Sequence, residues 1–329
     1  MGELRTAAVT EVHVIVPEGV DDPARGRAGH GVLARAAGRI PDGAAVLLDG
    51  LVASAAPDVL VPHARRLRQV VLVHMPLGHR PEAGEAGPVR ARERAVLEAA
   101  AAIVTTSVWT RRRRGELYEL PAGRVHVAEP GVDAAALAPG SAAGDRLLCV
   151  AAVTPGKGHD VLVEALSAVR ERAWRCTCVG SLDRDPAFAA GVRRATRETG
   201  LDDRLRWTGA HGGRELERAY TAADLLLLAS RAETYGMVVT EALARGLPVL
   251  AADVGGVTEA LGHGSGGTRP GLLIPPGDAT ALGAALRSWL RDAGLRGRLR
   301  RAARERRASL PRWPATTAVL AGVLAGSGR

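Results

Sequence analysis

Short, nearly continuous apolar runs alternate along this chain with longer segments rich in Ala, Leu and Arg. In the first part the runs are "VHVIVP", "AAVLLDG", "QVVLVHMP", "AAIVTTS" and "RVHVAEP". Runs this short, bounded by Gly, Pro or a charge, predict strands buried on both faces, and the segments between them predict helices. Residues 132–145 ("VDAAALAPGSAAGD") have no period and are rich in Ala, Gly and Pro, which predicts a linker. Beyond it the rhythm restarts with "RLLCVAA", "RCTCVGS", "RLRWTG", "LLLLAS", "PVLAAD" and "GLLIPP", again separated by helical segments. A basic helix near 292–308 and the tail "LPRWPATTAVLAGVL" close the chain.

Alternating strands and helices predict an α/β protein of two doubly wound, parallel-sheet domains facing a cleft. The division is 1–131, the linker 132–145, a second domain 146–310, and a tail 311–329 that packs back toward the first domain. Residues 14–43 hold only one helix-like segment before "AAVLLDG". In such sheets ligands bind beyond the carboxyl ends of the strands, so the loops there carry the chemistry.

Composition narrows the function classes. With 329 residues, 47% hydrophobic and 24% charged, the chain has the make-up of an ordinary globular protein. A net charge of +9 points to an anionic partner, but only 3% of residues are aromatic and the arginines are spread along the chain. That pattern argues against nucleic acid. "WTRRRRGELYEL" and "LRGRLRRAARERR" read as solvated helix faces, with peripheral contact to an anionic membrane surface as the alternative. Three cysteines make no disulfide framework and read as small buried hydrophobes. The expectation is a cytoplasmic protein without a signal peptide or a membrane-spanning run.

The chain has one lysine, Lys157, and no asparagine. Lys157 sits in "TPGKGHD", a turn between a strand and a helix opening near His159. A helix N-terminus carries roughly half a positive charge on its free N–H groups, and a compact ammonium before it suits a diphosphate. The spacing is not that of a P-loop. A second loop follows "LLLLAS": Glu233, then Tyr235 and Gly236, then a helix that opens near Gly236 and carries Glu241 in its second turn. Glu233 stands where a carboxylate accepts from sugar hydroxyls. Glu241, in an otherwise apolar "VVTEALA", suits the vicinal hydroxyls of a ribose. "SLDRDPAF" contains a D-x-D, but Pro186 in a first-turn position makes Asp183 or Asp185 a helix cap rather than a metal ligand.

These segments resemble the group 1 glycosyltransferases of family 4, which have the GT-B fold. The family's E-x7-E motif reads as Glu233 to Glu241, its G-R-L-x-x-x-K-G loop as "AAVTPGKG", and its "NGVD" hinge as "PGVD", with Gly131 and Asp133 as hinge residues. The resemblance implies a retaining, metal-independent hexosyltransferase that needs no cofactor and takes a nucleotide-diphosphate sugar, GDP-mannose or a UDP-hexose. The acceptor would be a small molecule, glycan or lipid. It implies that Lys157 neutralises the diphosphate and Glu241 holds the ribose. Glu233 contacts the transferred sugar, with Gly158, Gly180, Tyr235, Gly236 and Met237 around the donor. His74, in "VHMP", matches a first-domain histidine aimed at the sugar; without the resemblance it is an ordinary strand-end histidine. Two departures stand out. The family's arginine five residues before the lysine is Ala152, with Arg231 as a candidate replacement, and the first domain is short. Together they keep open a non-catalytic nucleotide-sugar binder or partner subunit.

Overall fold

The computed structural model describes residues 27–77 and 86–326. The chain forms two compact units, one of residues 1–131 with 313–329, the other of residues 132–312. Residues 1–26, with the expected strand "VHVIVP", lie outside the described residues.

In the first unit, helix α1 (Arg27–Arg39) leads to β1 (Ala45–Asp49), short helices α2 (Gly50–Ala55) and α3 (Pro57–Leu60), and β2 (Arg68–Val73). Helix α4 (Ala86–Ala99), β3 (Ala102–Thr105), α5 (Val108–Tyr118) and β4 (Val125–Val127) complete the order. The described strands form one sheet, β1-β2-β3-β4, parallel throughout. Its strands are apolar runs because both faces are covered. Leu48, Val71, Val73 and Ile103 pack with residues of α1, α2 and α4 on one face. Val70, Val104 and Ala128 pack with Val323 on the other. Val323 belongs to α13 (Trp313–Leu324), the tail helix, which is fixed to this unit. Thr316 Oγ1 donates to the Glu129 carbonyl at 2.6 Å, and Arg68 donates to the Leu324 carbonyl at 2.6 Å.

The second unit has the strands β5 (Arg146–Val150), β6 (Arg175–Val179), β7 (Leu205–Trp207), β8 (Leu225–Leu228), β9 (Val249–Ala252) and β10 (Gly271–Ile274). Between them run α6 (His159–Ser167), α7 (Pro186–Glu198), α8 (Gly213–Ala222), α9 (Met237–Ala244) and α10 (Val257–Leu261). Helices α11 (Ala279–Arg291) and α12 (Ala293–Arg306) follow β10. The sheet order is β10-β9-β8-β5-β6-β7, all parallel. The order reverses between β5 and β8, so the loops leaving those two strands share the carboxyl edge at the switch point.

Residues 132–145 have neither helix nor strand, yet they are held firmly to the second unit. The Val132 and Ala138 N–H groups donate to Pro311 and Arg245 carbonyls at 3.0 and 2.9 Å. Fully buried Asp224 accepts from Ser141 Oγ (2.7 Å), Arg146 N (3.0 Å) and Arg300 (2.9 Å), and also from the Ser141 N–H. One carboxylate thus ties the entry segment, the start of β5 and α12 together. The three cysteines are free and buried. Asp185 caps α7 through the Phe188 N–H at 2.9 Å, with Pro186 in its first turn.

Candidate functional site

The loop after β5 makes a 3-10 turn over Pro155–Lys157 and then meets α6 through Gly158. Gly158 is left-handed (φ +66°), and a Cβ there would lie 2.1 Å from the Ala229 carbonyl oxygen. Glycine is therefore required twice over, by conformation and by the close approach of the β8 end. That approach brings the two motif loops into contact.

Lys157 Nζ lies 2.5 Å from Glu233 Oε1, and Ser230 Oγ donates to the same oxygen at 2.8 Å. The Glu233 side chain is 12% exposed and that of Lys157 is 33% exposed. A half-buried ion pair at the switch point leaves the ammonium with donors to spare for an anion, and among the described residues the bonds to Glu233 fall on Oε1. Arg231 braces this arrangement. Its guanidinium pairs with both Asp160 oxygens (2.9 and 2.6 Å) and the Pro155 carbonyl (2.7 Å), and its N–H donates to the Gly156 carbonyl at 2.8 Å. The Arg231 bond holds the Asp160 carboxyl below its ordinary range. Arg231 is thus committed to the lysine loop and does not stand in for the arginine that Ala152 replaces.

On the other side of β8, Gly236 (φ 88°) caps α9, and Met237, its first residue, is exposed. Tyr235 is buried in the core at 2%. The loop's shape is set by Gly255 after β9, whose Cβ would meet the Glu233 carbonyl oxygen at 1.5 Å. Glu241, in the second turn of α9, accepts from Tyr220 Oη at 2.6 Å. Tyr220 is fully buried, and desolvation together with the Glu241 charge pushes its phenol up, so it remains a donor. Arg245 stacks on the Tyr220 ring at 4.4 Å, pairs with Glu217 and donates to the Glu241 carbonyl at 2.7 Å. Gly180 directly follows β6, next to β5, and its N–H donates to the Gly209 carbonyl at 2.9 Å.

The second unit therefore joins Lys157 directly to Glu233 and gives Glu241 its own polar support. His74, at the end of β2, belongs to the first unit. Its Nε2 is 3.2 Å from Asp49 Oδ2, while Asp49 Oδ1 caps α2 through Leu51 and Val52 N–H groups at 2.9 and 3.2 Å. The His74 bond is the first cause of a lowered Asp49 carboxyl pKa. Gly131 ends the first unit, and Asp133 lies exposed just inside the second. Sequence reasoning passed over Ser230, Tyr220, Arg231's bracing role and Asp49. Of these only Asp49, a carboxylate directly after an apolar run, carries a local signal. Among the described residues no cluster of three or more His, Cys, Asp or Glu side chains is placed to hold a metal.

Comparison with known proteins bears on this geometry. The model of the family described as "Glycosyl transferases group 1" matches residues 143–306, which contain both motif loops. The second half of the chain places it in the group 1 glycosyltransferases. A D-inositol 3-phosphate glycosyltransferase of Jonesia denitrificans is 32% identical over 244 residues, 67% of this chain and 57% of that protein. The chain spans little more than half the length of the curated relatives it matches. Among solved structures, sucrose-phosphate synthase from Thermosynechococcus elongatus superposes with a TM-score of 0.71 at 24% identity, covering 85% of this chain and 72% of the other. Anabaena HepE in complex with UDP-glucose gives 0.73 at 18% identity, covering 90% and 81%. The fold of this group 1 chain is thus that of GT-B glycosyltransferases, with parallel sheets in both units.

Proposed function

We propose that this group 1 chain transfers a hexosyl group from a nucleotide-diphosphate sugar to an acceptor, with retention of configuration and without a metal. The observation that carries the reading is the Lys157–Glu233 contact at the switch point, with Glu241 held by Tyr220 one helix away. In this reading the Lys157 ammonium and the N-terminus of α6 balance the charge that accumulates on the departing diphosphate, which is the task a metal performs elsewhere. Glu233 accepts from hydroxyls of the transferred sugar through Oε2. Glu241 accepts from the ribose. His74 is oriented by Asp49 within the first unit. A UDP-hexose is the first donor to test, because a structural neighbour holds UDP-glucose. A phosphorylated polyol is the first acceptor class, because a relative is named for inositol 3-phosphate.

Thermal-shift measurements against UDP, GDP, UDP-glucose and GDP-mannose, with and without magnesium, test the donor. The expected result is a magnesium-independent shift with one base, lost in Lys157→Met. Absence of any shift refutes the donor site. A second reading, a nucleotide-sugar binder without turnover, is favoured by Ala152 together with Arg231's commitment to Asp160. The family's second diphosphate cation then has no counterpart in the loop. Donor binding without transfer or slow donor hydrolysis supports that second reading.

A further inference from the structure

At the edge of the second unit's sheet, a concavity of about 560 Å³ follows the edge strand β7, the first residues of β6 and the second half of α7. Arg175, Arg193, Arg197, Arg204 and Arg206 line it, against only two acidic residues, Asp202 and Asp203. Arg175 opens β6 and Arg204 immediately precedes β7. The cluster is thus centred on the amino ends of these strands, whereas the Lys157 and Glu233 loops leave the carboxyl ends of β5 and β8.

How these arginines are used sets them apart. Elsewhere in the second unit, Arg231, Arg245, Arg296, Arg300 and Arg307 spend their donors on carboxylates or carbonyls. Within the concavity Arg204 is committed. It donates to the Trp174 and Arg170 carbonyls at 3.2 and 2.7 Å and stacks on the Trp174 ring at 4.1 Å, a fixed positive charge. Among the described residues, no hydrogen bond or ion pair engages the side chains of Arg175, Arg193, Arg197 or Arg206. Arg193 and Arg197 are one helical turn apart, a like-charged spacing that disfavours the helix, while the adjacent Arg194 is paired with Glu198 at 3.7 Å. Four unspent guanidinium forks around one concavity outnumber its two carboxylates, Asp202 and Asp203, and that surplus of donors is the complement of phosphate oxygens.

We propose that this concavity is a second binding site, separate from the donor site, for a small soluble anion carrying two or more phosphate groups. Its volume is that of a small-molecule pocket and exceeds what a single phosphate fills. The arginines come from three elements, so a ligand bridging them engages the start of β6, α7 and β7 together.

The test is calorimetric titration of sodium tripolyphosphate, and separately orthophosphate, into the full chain carrying Lys157→Met, so that the donor loop contributes nothing. At low salt, near 50 mM, where surface charge is least screened, tripolyphosphate binds saturably and orthophosphate about tenfold or more weaker, because it engages fewer forks. Arg193→Ser with Arg206→Ser weakens tripolyphosphate by about tenfold or more, and Arg194→Ser, whose partner is Glu198, leaves it unchanged. Circular dichroism confirms that the variants are folded; all three sites are exposed. Undiminished binding in the double variant overturns the proposal. So does absence of binding to the folded chain, or binding of anionic vesicles with none of tripolyphosphate.

Discussion

Removing one oxygen, in Tyr220→Phe, isolates the support of Glu241. The ring and its stacking under Arg245 are retained, and only the 2.6 Å bond from Oη to Glu241 is lost. The donor is fully buried and the acceptor is charged, so the bond belongs to the stronger class, contributing about 1.5–3 kcal/mol. For a unit of this size each kcal/mol moves Tm by roughly 2–4 °C, so the variant melts about 3–12 °C lower. Stability alone does not identify a positioning role, because any buried bond would show it. The discriminating readout is donor kinetics. If Glu241 holds the ribose, its contact is present in ground and transition states alike, so donor KM rises about tenfold while kcat is nearly unchanged. Steady-state transfer or donor hydrolysis at temperatures well below the lowered Tm measures this. A normal donor KM in a variant with the expected Tm loss refutes the assignment of Glu241 to the ribose. An unchanged Tm refutes the bond itself.

Three further perturbations follow from the same contacts. Asp224→Ala leaves Arg300 and the Arg146 and Ser141 N–H groups without their shared acceptor, and urea unfolding should show a loss of about 3–5 kcal/mol. Arg231→Gln frees Asp160, whose folded pKa the guanidinium holds down. That stabilisation is present above the unfolded carboxyl value of about 4 and is lost as pH falls through the folded one. The variant is therefore less stable than wild type at pH 7, and the difference shrinks in acid to what the lost Pro155 carbonyl bond contributes; a difference that does not change with pH refutes the linkage. Gly158→Ala pushes a Cβ toward the Ala229 carbonyl at a left-handed position, costing more than about 1–2 kcal/mol from conformation alone. Its donor affinity should fall with the displaced loop, as read by thermal shift.

Much of this architecture is legible in the sequence because parallel strands covered on both faces must be apolar throughout. "LLLLAS" and "PVLAAD" become β8 and β9 for that reason. The motif loops are legible for a different reason: a lone lysine beside glycine, and a glutamate in an apolar helix, have few other uses. What is not legible is long-range. Tyr220 reaches Glu241 across 21 positions and Arg231 reaches Asp160 across 71, and neither is marked locally. The packed coil of 132–145 shows the same limit. Its lack of period says linker, but its hydrogen bonds run to Arg245, Pro311 and Asp224. The arginine concavity is hidden similarly, because each arginine looks solvated until the strand edge gathers them.

The contrast between Lys157 and Arg231 gives the physical reason for the chain's single lysine. Both cations serve the same few residues, but in different geometries. Arg231 meets Asp160 with two nitrogens on two oxygens and reaches the Pro155 carbonyl with one of them, a planar fork that locks the loop. Lys157 meets a single oxygen of Glu233 in a turn with room for one point charge, and keeps donors free beyond that contact. An arginine at 157 would place a longer, planar group against a 12%-exposed carboxylate already shared with Ser230. Displacing Glu233 would then disturb both groups to which the proposed function assigns the phosphate and the sugar. Lys157→Arg is thus expected to lower transfer activity more than donor affinity, since charge is kept while placement is lost. An equal fall in both would mean that charge alone is what position 157 supplies.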